Sequence, residues 1–182
     1  EEVNSTHATL SVQQGSAVPS LAYPSVTQDT YLDTGTIYTD RGSSSSLFVG
    51  RSQVSTSNPN LRAVSLINMD FSGLPLPGTY EVVDASLELN AVNVYQNTLI
   101  AVGESTSAWS ESSVYAYPAG NTSAWAAPGG HSARDFDVPF NPAQWVNGTG
   151  TAAFNVTALV QHALATNLSL IHISEPTRQP NI

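Results

Sequence analysis

The chain has 182 residues, 41% of them apolar, and sets 14 acids against 5 Arg with no Lys and no Cys, for a net charge of −9. That balance, with no basic patch, excludes a nucleic-acid partner and attraction to anionic membrane surfaces. The missing Cys and Lys exclude disulfides, thiol chemistry and Lys–Asn crosslinks, so contacts within and between chains are non-covalent.

In chain order, the first segment reads apart from the rest. Ala8, Leu10 and Val12 alternate with Thr9, Ser11 and Gln13, the pattern of a half-buried strand. Gly15-Ser-Ala-Val-Pro19 and Pro24 follow as a linker, so residues 1–24 are expected to be an N-terminal extension carrying a detached strand. The body, residues 25–167, reads as short strands separated by turn residues. These are Ser46–Gly50, Ala63–Phe71, Val83–Ala91, Leu99–Val102, Ser113–Tyr117, Phe136–Phe140 and Ala152–Val156. Ala63–Phe71 is apolar on both faces, with Val64 and Leu66 on one and Ile67, Met69 and Phe71 on the other, as a central strand should be. In Val83–Ala91, Ala85, Leu87, Leu89 and Ala91 point inward and Asp84, Ser86, Glu88 and Asn90 outward. One segment breaks the β pattern: Leu159, Val160, Ala163 and Leu164 have helical spacing, which predicts one short helix over Thr157–Ala165. The expected fold is an all-β, jelly-roll-type antiparallel β-sandwich with that helix near the C-terminus.

No apolar run approaches the roughly 18 residues that cross a bilayer as a helix, so no membrane insertion is expected. Opening at Glu1-Glu2 without Met, the chain reads as an exported product whose signal peptide has been removed, hence extracellular or at the cell surface. N-x-S/T sequons start at Asn4, Asn121, Asn147, Asn155 and Asn167; the 13 Asn and 41 Ser plus Thr alone would give roughly three. Glycosylation is expected at Asn4, Asn121, Asn147 and Asn155 if the source glycosylates its surface proteins.

Several fragments in sequence order resemble a known family. They are Gln28–Asp33, Gly42–Gly50, Leu61-Arg62 with Met69-Asp-Phe-Ser-Gly-Leu-Pro75, Val83–Leu89, Trp109-Ser-Glu111 and Phe154–Val160. Together they look like the DNRLRE domain, or disaggregatase-related repeat, of secreted bacterial and archaeal proteins. The resemblance implies a jelly-roll-type sandwich related to carbohydrate-binding modules, with Trp109 in its core. It also implies a final strand after Asn167. There the chain instead reads Leu168-Ser-Leu-Ile-His-Ile-Ser-Glu-Pro-Thr-Arg178, which resembles a translated sequencing adapter. Residues 168–182 are therefore expected to be a non-native tail; the other reading is a genuine strand through Leu168, Leu170, Ile171 and Ile173.

Catalytic constellations are not evident. Asp70, Glu88, Glu104 and Glu111 are scattered, whereas glycoside hydrolysis needs two carboxylates about 5–10 Å apart across a cleft. His7, His131 and His162 share no metal-ligand spacing, and no nucleophile elbow, P-loop or dinucleotide fingerprint occurs. No enzyme activity and no cofactor are expected. Asp29, Asp33 and Asp40 are close enough in sequence to hold Ca²⁺ with backbone carbonyls, although loop solvation is the plainer use. Trp109, Trp125, Trp145, Tyr115 and Tyr117 are the aromatics that could stack on sugars, and Trp125, in the Pro118–Gly130 loop, is the favoured exposed one.

Two functions follow. In the first, the chain is a subunit of an extracellular, pilus-like filament, a homopolymer in which Ala8, Leu10 and Val12 of one copy complete the sheet of the next. In the second, it is a secreted carbohydrate-binding or adhesion module with glycans as its partners. The first is preferred, because a lone alternating strand on a tether is what donor-strand complementation needs.

Overall fold

The computed structural model describes residues 3–15, 20–52, 61–72, 74, 81–94, 97–116, 125, 136–137, 143–166 and 170–174. In chain order the strands are β1 (Val3–Gly15), β2 (Ser20–Ala22), β3 (Ser25–Asp33), β4 (Leu47–Ser52), β5 (Leu61–Asp70), β6 (Glu81–Val94), β7 (Thr98–Ser105), β8 (Phe136–Asp137), β9 (Gln144–Val146), β10 (Gly150–Asn155) and β11 (Leu170–Ser174). A helix, α1 (Thr157–Thr166), lies between β10 and β11. Each ladder among the described residues is antiparallel. The chain is all-β with one short helix among the described residues.

Strand order along the sheet is β10-β6-β1-β4-β5-β11-β7-β8, with β2 on β1, β3 on β5 and β9 on β7. β4 joins two halves of this path. Its first residues, Leu47–Val49, pair with β1; its last, Gly50–Ser52, pair with β5. Gly50 stands at the changeover with φ 109, a left-handed conformation that a side chain would resist. The two halves share one core: Ala85, Leu87 and Leu89 of β6, Ile67 and Met69 of β5, Ile100 and Val102 of β7, Phe154 of β10 and Ile173 of β11 are buried in a single cluster.

The alternation expected for β6 holds from Asp84 to Ala91, with Ala85, Leu87, Leu89 and Ala91 buried and Asp84, Glu88 and Asn90 exposed. At either end an irregularity in the pairing with β1 sets two successive β6 residues outward. That is why Val83 and Val92 are exposed although their neighbours follow the period. β5 is apolar on both faces because both are covered. Ile67 and Met69 join the main core, while Val64 and Leu66 join a second cluster with Leu32, Trp109 and Trp125. The helix buries Leu159, Val160 and Ala163 and starts where the Asn155 side-chain oxygen accepts a hydrogen bond from the Thr157 N–H (3.1 Å).

Two expectations are corrected. Val3–Gly15 is not detached: it is an inner strand, paired with β6 along its length. The reason is physical, since β6 has a second edge that the alternating strand satisfies. Ser113–Ala116 does not form the expected strand: Ser113 ends a turn, its N–H donating to the Ser110 carbonyl (2.8 Å) and its Oγ accepting from the Ser110 N–H (2.9 Å), Val114 makes a lone bridge, and Tyr115 and Ala116 lie in a turn. Tyr117, the last residue of that expected strand, lies outside the described residues. The apolar residues 170–174 form β11 between β5 and β7, and Ile173 reaches the main core.

Candidate functional site

The site of interest is the slot that β1 occupies. One wall is β6, whose register against β1 sets Ala8 opposite Leu89, Leu10 opposite Leu87 and Val12 opposite Ala85. Among the described residues the other wall is in two pieces: β4 meets β1 at Val3–Ser5, and β2 meets it at Val12–Gln14. The three residues picked out as a donor strand thus lie directly opposite the inward row of β6, and two wall segments border the same slot.

The rest of the domain holds β6 firmly. β10 pairs its far edge from Gly150 opposite Ala91 to Asn155 opposite Ser86. Beyond that, Val156 N–H donates to the Ala85 carbonyl (2.8 Å), Ala85 N–H donates to Thr157 Oγ1 (2.9 Å), and Gln161 Nε2 donates to the Val82 carbonyl (2.7 Å). With one edge tied to β10 and α1, β6 leaves its other edge for β1. An empty slot would strand ladder groups beside an apolar core, at roughly 1–3 kcal/mol for each one left buried without a partner. The slot is therefore stable only when filled.

The remaining sequence candidates fall elsewhere. Asp33 closes its own turn, accepting from Gly35 N–H (2.8 Å), Thr36 N–H (2.8 Å) and Thr36 Oγ1 (2.6 Å), and pairs with Arg41 at 3.4 Å. Asp40 accepts from Gly42 N–H (2.8 Å). Asp29 sits half-buried, its pKa pushed up by burial and then by the Glu111 carboxylate. These three carboxylates serve turns and packing, and no group of three metal-ligating side chains is gathered among the described residues. Asp70 is exposed, and its pKa is held down by hydrogen bonds from the Ser72 side chain and backbone. Glu88 is exposed on β6, as a solvated carboxylate should be.

Trp125 is corrected outright. It is 5% exposed and its Nε1 donates to the Val114 carbonyl (3.0 Å), so it cannot present a face to a sugar. Val64 and Leu66 on the outer face of β5 need a cover, and Trp125 and Trp109 supply it. Tyr115 packs partly buried against the same cluster, and burial raises its pKa. Trp145, on β9, is the exposed tryptophan, at 54%. His131, Tyr117 and Asn121 lie outside the described residues; His7 falls at an irregularity of the β1–β6 ladder, and Asn4 pairs within the sheet, opposite Phe48 and Asn93. Asn147 and Asn155 are exposed.

Sequence reasoning missed one contact. Glu104 of β7, 1% exposed, lies 2.6 Å from His162 Nδ1 on α1, and its other oxygen is buried with no hydrogen-bond partner. The pair ties the helix to β7. With 58 positions between the two residues, no spacing in the chain announces it.

No protein-family model matches the chain, and no curated protein matches it. The likeness to the DNRLRE domain rests on the fragments quoted above. Among the described residues, no helix is long and apolar enough to cross a membrane.

Proposed function

We propose that the protein is the structural subunit of an extracellular, pilus-like filament, in which β1 of each copy fills the β6–β4 slot of the next. The observation that carries this reading is the inner position of β1. It is the first strand in chain order, it lies between β6 and β4, and residues 16–19 join it to β2. In the proposed exchange, the segment after Gly15, with Pro19 and Pro24, links β1 to the rest of its own copy. The neighbour's slot then receives the same strand in the same register, so the ladder formed between copies repeats the one formed within a copy. Exchange of this kind is head-to-tail, and when the rotation between copies does not close a ring it builds a fibre.

Two further features support the reading. The two halves of the sheet share one core, and an antiparallel sheet must cover its strand edges or lend them to a partner. The absence of Cys and Lys leaves strand addition as the means of strong longitudinal contact. For the sugar-binding alternative, Trp109 and Trp125 belong to a core cluster, which leaves Trp145 as the exposed tryptophan.

A test uses the missing cysteines. Leu10 and Leu87 are direct partners across the ladder, within reach of a disulfide. In the double variant Leu10→Cys, Leu87→Cys, oxidation of assembled material should give a ladder of covalent multimers on a non-reducing gel. A product that stays monomeric would mean that each β1 pairs with its own β6.

A further inference from the structure

Trp145 stands out as an exposed indole that packing does not explain. β9 runs Gln144–Val146 against β7, with Trp145 opposite Leu99 and Val146 opposite Thr98. Val146 is buried in the main core, which pins the strand, while Trp145 before it and Asn147 after it are both exposed. Trp145 and Asn147, two positions apart on either side of buried Val146, are therefore both open to solvent, roughly 6–7 Å apart if the chain stays extended through Asn147. Asn147 opens the sequon Asn147-Gly148-Thr149 in the bend that leads to β10. Of the sequons in this chain, this is the one with an aromatic residue two positions before its Asn; Glu2, Ala119, Ala153 and Ala165 hold that place in the others. The bend is also open: a Cβ added at Gly148 or Gly150 would meet nothing within 4 Å.

We infer that Asn147 is an N-glycosylation site whose first sugar docks on Trp145. The reaction joins Asn147 Nδ2 to C1 of the sugar of a lipid-phosphate-linked oligosaccharide donor. The bond from C1 to the phosphate oxygen breaks, the lipid phosphate leaves with the electron pair, and the amide nitrogen loses a proton. Once attached, the sugar lies within reach of the indole. Its apolar C–H face meets the electron-rich ring face, as partly positive hydrogens prefer. Covering the indole removes apolar surface from water and restrains the bend between β9 and β10. The inference depends on export to a glycosylating compartment and not on strand exchange.

The test is a cycle of full-length proteins secreted from a glycosylating host: wild type, Thr149→Ala, Trp145→Ala and the double variant. Thr149→Ala destroys this sequon alone. Glycopeptide mass spectrometry should find Asn147 occupied in the wild type and in Trp145→Ala. Glycosylated wild type should unfold about 2–4 °C above Thr149→Ala. That gap should vanish on the Trp145→Ala background and persist in Trp145→Phe, which keeps a ring to stack on. An unoccupied Asn147, or the same gap with and without Trp145, would overturn the inference. The second result would also be expected if Trp145 served a protein partner.

Discussion

Two strands from opposite ends of the chain, β1 and β11, both enter the middle of the sheet, and they are held in different ways. β11 is gripped along both edges. Leu170–Ile173 pair with β5 and Ile171–Ser174 pair with β7, with Ile173 in the main core. Among the described residues, β1 is gripped along one edge by β6, while its other edge meets β4 at Val3–Ser5 and β2 at Val12–Gln14. A strand with two full ladders leaves only when the sheet comes apart. On the proposed function, the strand with one long ladder and two short contacts is the one exchanged, while β6 stays anchored by β10 and α1. The difference then separates an element that stays with its own copy from one lent to the next.

The largest way to sharpen this contrast is to remove β1. A chain lacking residues 1–15 should lose cooperative unfolding, because β6 is left with an unpaired edge against the core. Adding a synthetic peptide of residues 3–15 should restore the transition, which calorimetry would detect. A truncated chain that melts like the wild type without peptide would show that β6 does not need the strand. A smaller effect is expected from β11. Ile173 is 1% exposed, so Ile173→Ala should cost about 2–5 kcal/mol in denaturant unfolding without changing exchange of β1. If that variant altered assembly as strongly as it altered stability, the two strands would not be independent.

The smallest effect lies away from both strands, on β3. Burial and the Glu111 carboxylate raise the Asp29 pKa, so the folded chain holds that proton more tightly than the unfolded one does. Its stabilising share is complete below the ordinary carboxylate range and is lost as pH rises through the elevated value. Asp29→Asn should therefore stabilise the chain slightly at pH 7 and change nothing at pH 3, as urea unfolding at the two pH values would show. Equal effects at both pH values would exclude charge as the cause.

How much was legible in the sequence follows from the range of each interaction. The two apolar faces of β5, the inward row of β6 and the buried face of α1 are local periodicities, and each can be read from a dozen residues. The apolar alternation of Ala8, Leu10 and Val12 announces a strand, but the identity of β6 as its partner is a long-range fact that no local pattern carries. Trp125 was misjudged for a similar reason. Its neighbours in the chain are small and turn-forming, whereas its neighbours in space, Leu32, Val64 and Leu66, come from β3 and β5. The apolar outer face of β5 was the available signal that something large had to cover it. The Glu104–His162 contact had no such signal.

The account turns on where residues 3–15 lie in assembled material, and electron microscopy of native fibres answers that directly. The account predicts a regular fibre in which density for these residues runs from each subunit into the β6–β4 slot of its neighbour, with Leu10 opposite the neighbour's Leu87. Fibres in which each β1 stays beside its own β6, or single particles alone, would contradict it.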